Sequence, residues 1–237
     1  MEIKIVRKVL EENESLAAKV RAGLRERRQS MVNFMSSPGS GKTKILERLI
    51  PLLTSGGLKV GVIEGDITTS LDAQRLQPLG IPISQINTEL FGGDCHLGAH
   101  VILAALEQFA KEPIDVVTIE NVGNLVCPAE FDTGADLNIV VLSVTEGEDK
   151  PLKYPLMFRN SHLALINKID LAEAAEADIC KLKENMLKIN SSLAVLETSG
   201  KTGRGIGELA QYIVRTHRQL LNEYTIKIAN NEKTARP

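Results

Sequence analysis

The residues from Ser36 to Thr43 have the types and spacing needed to bind a chain of phosphates. Small residues let the backbone curl so that successive N–H groups point at phosphate oxygens, and the helix that follows adds the positive end of its dipole. In such a loop Lys42 reaches the β- and γ-phosphates, and the Thr43 hydroxyl holds a magnesium ion. Serine occupies position 36, where the G-x-x-x-x-G-K-[ST] pattern usually has glycine. The predicted phosphate contacts are Gly39, Ser40, Gly41, Lys42, Thr43 and Lys44.

Two acidic residues, Asp66 and Glu120, each follow an apolar run that predicts a buried strand. Parallel sheets place their chemistry at the carboxyl ends of strands, so both acids are expected at one edge. We expect Asp66 to share the magnesium ion with Thr43 and Glu120 to orient the attacking water. Gly123, in the loop after Glu120, can present its N–H to the γ-phosphate. Lys42, Asp66 and Glu120 are therefore the predicted catalytic residues.

Asn167, Lys168 and Asp170 directly follow another apolar run and have the spacing of a guanine-binding motif. The Asp170 carboxylate can accept hydrogen bonds from the N1–H and the exocyclic amino group of guanine, a donor pair that adenine lacks. A site built around this pair rejects adenine because buried polar groups would stay unpaired. Ser199 and Lys201, after a later strand, are placed to close the base pocket. The predicted nucleotide is GTP, with GDP as the product.

A second group of residues offers thiolate and imidazole ligands, which suit nickel or zinc. Cys95 and His96 are adjacent, and His100 follows His96 by one helical turn, so on a helix the two rings share a face. Cys127 lies seven residues after Glu120 and is thereby tied to the loop that contacts the γ-phosphate. We predict a metal site of Cys95, His96, Cys127 and His100 whose affinity depends on the nucleotide state. Burial of the thiols in the core is the alternative that the sequence leaves open.

The order of strand, loop and helix signals predicts an α/β fold, with a mostly parallel sheet and helices on both faces. Continuous apolar runs are typical of strands buried on both sides in such sheets. An amphipathic helix is predicted from Ile3 to about Arg28, and a final helix from Ile206 to about Tyr224. We divide the chain into an N-terminal helix packing on the domain (1–29), a GTPase domain (30–226) and a C-terminal tail (227–237).

The composition excludes several classes of protein. The 237 residues are 43% hydrophobic and have a formal net charge of −2, which gives no general attraction to nucleic acid or anionic membranes. No run approaches the ~20 apolar residues of a membrane span, and the first residues lack a signal-peptide profile. The three cysteines form no C-x-x-C pair and no disulfide framework. These features predict a cytoplasmic protein with reduced thiols and neither nucleic-acid nor membrane partners.

Together these motifs resemble the hydrogenase nickel-incorporation GTPases of the HypB family. The matching stretches are Ser36–Thr43, Glu64–Asp66, Cys95–Leu97, Glu120–Pro128, Glu146–Lys150 and Asn167–Asp170. The resemblance implies a P-loop NTPase of the SIMIBI class, shared with signal-recognition and MinD-type proteins, in which GTP brings two subunits face to face. It also implies that Cys95, His96 and Cys127 hold nickel or zinc near the dimer interface; His100 is added from its spacing alone.

We therefore expect a GTP-hydrolysing metallochaperone that assists nickel insertion during maturation of nickel–iron hydrogenase. The expected partners are a second copy of the chain when GTP or metal is bound, other hydrogenase maturation proteins and the hydrogenase large subunit. No glutamine or in-cis arginine is evidently aimed at the γ-phosphate, so slow turnover is expected. Three alternatives stay open: a urease accessory GTPase, which typically has Cys-Pro-His in place of Cys95–His96; a guanine-nucleotide switch without metal delivery; and an ATP-dependent small-molecule kinase.

Overall fold

The chain folds around a sheet in which all neighbouring strands are parallel. A computed structural model describes residues 4–91, 93 and 95–234. The strands in this part of the chain are β1 (Ser30–Ser36), β2 (Val60–Asp66), β3 (Ile83–Asn87), β4 (Val116–Glu120), β5 (Leu137–Ser143), β6 (Leu163–Asn167) and β7 (Ala194–Glu197). The α-helices there are α1 (Lys4–Glu26), α2 (Lys42–Ser55), α3 (Leu71–Leu76), α4 (Ala99–Gln108), α5 (Cys127–Glu130), α6 (Lys150–Lys153), α7 (Pro155–Arg159), α8 (Ile179–Ile189) and α9 (Ile206–Thr234). Short 3-10 helices lie at Gln77–Leu79, Thr88–Phe91, Val144–Glu146 and Ile169–Leu171.

The strand order β3-β2-β4-β1-β5-β6-β7 places β1 at the centre of the sheet. β1 pairs with β4 on one side and β5 on the other, so the loop after Ser36 leaves from the middle of the carboxyl edge. β2 pairs with β4, which brings the ends of those two strands to the same edge. The predicted α/β fold with a mostly parallel sheet is confirmed.

Helices cover both faces of the sheet because successive side chains of a strand point in opposite directions. Phe34 of β1 lies in an apolar cluster with α2 and α9. Met31 and Met35, on the opposite side of the same strand, belong to clusters built with α1 and α4 and with α7 and α8, respectively. This arrangement confirms the predicted two-sided covering.

The N-terminal helix α1 packs on this second face. Its residues Ala17, Val20 and Leu24 are buried, and they recur at the spacing of one helical stripe. Val20 and Leu24 join the cluster that contains Ile102 of α4. The predicted amphipathic helix ahead of the first strand is confirmed.

One helix differs from its expected bounds. α9 continues to Thr234, past Tyr224 and through most of the segment assigned to a tail, because no glycine or proline interrupts the chain between Tyr224 and Thr234. α8 begins at Ile179, where the Asp178 side chain accepts a hydrogen bond from Lys181 N at 2.8 Å and caps the helix. The division at residues 29 and 226 stays a prediction, and residues 1–3 and 235–237 lie outside the described residues. None of the described helices has a stretch long and apolar enough to cross a bilayer.

Candidate functional site

The loop from Ser36 to Thr43, the predicted phosphate loop, joins the central strand β1 to helix α2. Gly39 and Gly41 have φ values of 74° and 98°, a left-handed region that favours glycine. A Cβ on Gly41 would also lie 2.7 Å from Asn167 Nδ2. Ser36 needs no such freedom because it is the last residue of β1, and its hydroxyl accepts a hydrogen bond from Lys42 Nζ at 2.8 Å. The serine at the usual glycine position is therefore compatible with the loop.

Glu146 fixes the same loop, a role that sequence reasoning missed. Its carboxylate accepts hydrogen bonds from the hydroxyls of Ser37 and Ser40, the second at 2.9 Å, and from Ser143 N at 2.9 Å. Its position in the Glu146–Lys150 stretch that matches the family was the available signal.

A cavity of about 480 Å³ opens beside the loop. Its polar and charged lining includes Lys42, Thr43, Glu64, Asp66, Asp72, Arg75, Glu120 and Asn121. Gly123 also lines it, and a Cβ on this residue would approach Pro38 Cα to 3.0 Å. The loop after β4 therefore touches the phosphate loop, and the predicted contact between Gly123 and the γ-phosphate requires this closeness.

Three carboxylates meet inside this cavity. Glu64, Asp72 and Glu120 each offer an oxygen, and these atoms lie within 4.8 Å of one another. Glu64 and Glu120 are opposite each other in the β2–β4 register, and Thr43 Oγ1 donates to Glu120 Oε1 at 2.8 Å. Oxygen ligands of this kind suit a hard cation such as Mg²⁺. The residues present therefore fit a magnesium ion beside Thr43.

Burial and the nearby negative charge change the protonation of this pair. Burial, followed by the charge of Glu120 and that of Asp72, raises the pKa of Glu64 to about 11. Burial also raises the pKa of Glu120, although Lys42 and the Thr43 hydroxyl oppose the shift. Without a bound cation, Glu64 is thus neutral at pH 7 and can hydrogen-bond to the facing carboxyl group.

Asp66, the predicted magnesium ligand, lies at the edge of the cavity and contacts its own loop. Its carboxylate accepts hydrogen bonds from Ile67 N at 2.7 Å, from Thr69 N at 3.2 Å and from the Thr69 hydroxyl. Glu64 and Asp72, which the sequence reasoning did not select, lie next to Glu120 instead. The magnesium role of Asp66 stays a prediction.

Asn167 and Lys168 reach the phosphate loop from the end of β6. Asn167 Nδ2 donates to Ser40 O at 2.7 Å, and Lys168 Nζ donates to Gly39 O at 2.7 Å. The Asn167 carbonyl oxygen accepts from Gly200 N at 3.1 Å. These bonds hold the predicted base-binding segment and the phosphate loop as one unit.

Asp170 and Ser199 meet at the predicted base pocket. Ser199 Oγ donates to Asp170 Oδ1 at 2.5 Å. This bond does not use the other carboxylate oxygen of Asp170. Lys201 is exposed, and its carbonyl oxygen accepts a hydrogen bond from Arg48 Nη2 at 2.5 Å. The structure thus brings together the residues selected for guanine, and their contact with the base stays a prediction.

Cys95 and Cys127 come together although 32 residues separate them in the sequence. A hydrogen bond between the two thiols, with burial as the second cause, raises the pKa of Cys127 to about 11. Asn124 Nδ2 lies 3.6 Å from Cys127 Sγ. The thiols therefore form a pair within one chain, at the end of the segment that starts at Glu120.

The two histidines are arranged differently from the expectation. Helix α4 begins at Ala99, so His96 precedes it, and the shared helical face predicted for His96 and His100 is wrong. The His96 ring stacks on Phe131 with centroids 3.7 Å apart, whereas a Cβ on Gly98 would lie 2.9 Å from His100 Nδ1. Both rings line a separate cavity of about 470 Å³.

Within residues 4–91, 93 and 95–234, the cysteines and histidines do not form a cluster of three metal-ligating side chains. Such a cluster is formed there by Glu64, Asp72 and Glu120. Cys95 and Cys127 thus form a pair of candidate ligands in this arrangement rather than the complete set that was predicted. Nickel and zinc need about four ligands. The predicted metal site therefore requires further ligands, from a movement of the histidines or from a second copy of the chain.

Residues 30–197 match the family model described as the nucleotide-binding domain of CobW, HypB and UreG proteins. The hydrogenase maturation factor HypB of Rhizobium leguminosarum bv. viciae is 46% identical over 204 residues, which cover 86% of this chain and 67% of that protein. The chain belongs to the HypB family. The crystal structure of HypB from Helicobacter pylori in complex with nickel is 37% identical, with a TM-score of 0.82, and covers 88% of this chain and 96% of that one.

A more distant structure supports the wider class. The signal recognition particle receptor FtsY from Elizabethkingia anophelis is 15% identical, with a TM-score of 0.54 over 91% of this chain and 79% of that one. This likeness shows the fold alone. With the HypB matches, it confirms the predicted P-loop NTPase fold of the SIMIBI class.

Glu64 in this HypB-family pocket is expected to lower stability at neutral and alkaline pH. Its pKa is about 11 in the folded chain, whereas an exposed glutamate has a pKa of 4.5, so the folded chain binds the extra proton between these values. The free energy of unfolding therefore falls as the pH rises through this window. Glu64→Gln should raise the free energy of unfolding by about 2–4 kcal/mol at pH 8 and change it little near pH 4.5. Urea titrations of the nucleotide-free protein without added Mg²⁺ measure this difference.

Glu47 provides the matched control. Burial acts to raise the pKa of Glu47, but hydrogen bonds from Lys44 and Arg75 lower it below its usual value. Its charged form is thus favoured on folding, and Glu47→Gln should not stabilise the chain at pH 8. Parallel pH profiles for wild type and Glu64→Gln would contradict the assignment of a proton to Glu64.

Proposed function

We propose that the chain is a cytoplasmic, GTP-hydrolysing nickel metallochaperone that assists maturation of nickel–iron hydrogenase. The observation that supports this most is the single segment from Glu120 to Cys127. At its start Glu120 accepts a hydrogen bond from Thr43 of the phosphate loop, and at its end Cys127 contacts Cys95. A change at the γ-phosphate can therefore move one cysteine relative to the other.

Each part of the nucleotide pocket has a task in hydrolysis. Backbone N–H groups of the phosphate loop and the Lys42 ammonium stabilise charge on the phosphates, and Glu120 orients the attacking water. Thr43, with Asp66 or the carboxylates beside Glu120, would hold Mg²⁺, which supplies charge neutralisation when bound. Asp170 selects guanine. Turnover is slow, because neither a glutamine nor an arginine free of other partners is directed at the γ-phosphate among the described pocket residues; Arg75 pairs with Glu47 and Asp72.

Nickel is the proposed cargo, and zinc is the alternative metal for the same ligands. The solved Helicobacter pylori relative is a complex with nickel, and the curated relatives are hydrogenase maturation factors. Cys95 and Cys127 supply the first two ligands, with His96 and His100 as further ones. A homodimer formed with GTP or metal would double the thiol count at one site. The partners proposed are other hydrogenase maturation proteins and the hydrogenase large subunit.

Titration of Ni²⁺ into the protein with GDP and with a non-hydrolysable GTP analogue tests the coupling. We expect the affinities to differ by at least about 5-fold, since typical coupling free energies correspond to 5–150-fold. Light scattering before Ni²⁺ is added should show a dimer with the GTP analogue and a monomer with GDP. Equal Ni²⁺ affinity in both states would leave a guanine-nucleotide switch without metal delivery.

A further inference from the structure

Asn13, in the middle of α1, joins two segments that are far apart in the sequence. Its side chain is buried, with 8% of the residue exposed. The amide Nδ2 donates to Asp132 O at 2.8 Å, and Oδ1 accepts from Ala99 N at 2.9 Å. One carboxamide therefore uses its donor and its acceptor on different parts of the fold.

The two segments are those that carry the cysteines. Ala99 begins α4, four residues after Cys95, and Asp132 follows Cys127 by five residues. The residue before α4 is Gly98, which has no side chain to cap the helix, so Asn13 supplies the missing acceptor from another helix. The Asn13 carboxamide thus fixes the backbone four residues after Cys95 and five residues after Cys127.

Helix α1 is itself held firmly against the second segment. Arg21 Nη2 lies 2.7 and 2.8 Å from the two carboxylate oxygens of Asp132. Gly134, with φ of 81°, approaches so closely that a Cβ there would lie 2.6 Å from Val20 Cβ. The register of α1 on this segment is therefore fixed, and Asn13 cannot slide along it.

We propose that Asn13 is a positioning residue for the cysteine pair, setting the separation of Cys95 and Cys127 by tying both flanking segments to α1. This inference deepens the metal function proposed above and rests on it. A carboxamide is required because leucine of similar size has neither hydrogen-bonding group and aspartate has no donor. The N-terminal helix thereby acts on the metal site without supplying a ligand.

The test measures thiol geometry and metal binding separately. In a Cys180→Ser background, diamide accepts two electrons as the two remaining thiols lose their protons and form a disulfide, and mass spectrometry follows the closure in dilute protein. Zn²⁺ titration with a chromophoric competitor gives the affinity of the reduced protein. We expect Asn13→Leu to slow disulfide closure and to weaken Zn²⁺ binding, each at least about 10-fold, because effective molarity depends steeply on geometry.

Asn185→Leu is the matched control. Asn185 is 3% exposed and its Nδ2 donates to Glu148 O at 2.8 Å, so its loss should cost similar stability on α8, an element that carries neither Cys95 nor Cys127. Closure and Zn²⁺ affinity should stay at wild-type values in this variant. Asn13→Asp keeps the acceptor for Ala99 N and loses the donor, and should also slow closure, which covers the case in which Asn13→Leu does not fold.

The outcomes separate the inference from the proposed function. Wild-type closure rates in the folded Asn13 variants, or equal slowing in Asn185→Leu, would overturn the positioning role. Rapid closure in the parent, slow closure in the Asn13 variants and no Zn²⁺ binding by either would support positioning of the thiols while refuting the metal function.

Discussion

Lys42→Ala is expected to reduce kcat/KM for GTP hydrolysis by at least about 100-fold, in the range seen when one preorganised charge-stabilising group is removed. The lysine is 7% exposed, and its ammonium is held on Ser36 Oγ at 2.8 Å, at the base of the phosphate loop. Burial raises the pKa of Glu120, and the positive charge of Lys42 lowers it. The substitution thus removes the cation that we expect to meet the phosphates and favours protonation of Glu120. Phosphate release under multiple- and single-turnover conditions measures the loss.

An exposed lysine distinguishes this effect from a general change in charge. Lys181 on α8 has a side chain that is 52% exposed and pairs with Glu184 at 3.7 Å. Lys181→Ala should keep full activity, because surface pairs of this kind contribute little to the fold. Full GTPase activity in Lys42→Ala would show that the phosphate site has been assigned to the wrong loop.

The phosphate loop could be predicted because its signal is local. Gly39, Gly41, Lys42 and Thr43 are adjacent, and the strand before and helix after them are visible in the hydrophobic pattern. The same holds for the sheet, whose strands are continuous apolar runs. What the pattern cannot give is which strands become neighbours.

The acidic cluster depends on that missing information. Glu64 reaches Glu120 only because β2 lies beside β4 with these two residues in register. Asp72 joins them from the first turns of α3. Asp66 looked the better candidate in sequence since it ends the strand, yet its carboxylate is used by the turn that follows.

The predicted metal site likewise combines a signal that is local in the sequence with contacts that only the fold determines. Cys127 could be linked to Glu120 because only seven residues separate them, and the structure brings its thiol to Cys95. The histidine expectation failed because it assumed a helix through His96, whereas α4 starts at Ala99. Helix bounds depend on capping, and here the cap comes from Asn13, which is 86 residues away in sequence.

Cys127→Ser is expected to weaken Ni²⁺ binding by about 100-fold or more, because a hydroxyl of the same size does not ionise to replace a thiolate ligand. The Cys127 thiol has a pKa of about 11 when paired with Cys95, so a metal must displace its proton. Affinity should therefore fall as the pH falls, and the variant should release one proton fewer per metal bound. Calorimetry in buffers of different ionisation enthalpy measures both quantities.

Cys180 makes the comparison specific, because it is an exposed thiol on α8, an element that carries neither Cys95 nor Cys127. Cys180→Ser should bind Ni²⁺ as wild type does and release the same number of protons. If Cys127→Ser behaves in the same way, the Cys95–Cys127 contact is core packing, as the sequence left open. The segment from Glu120 would then transmit the nucleotide state to a structural element, and delivery of a metal would need ligands outside this pair.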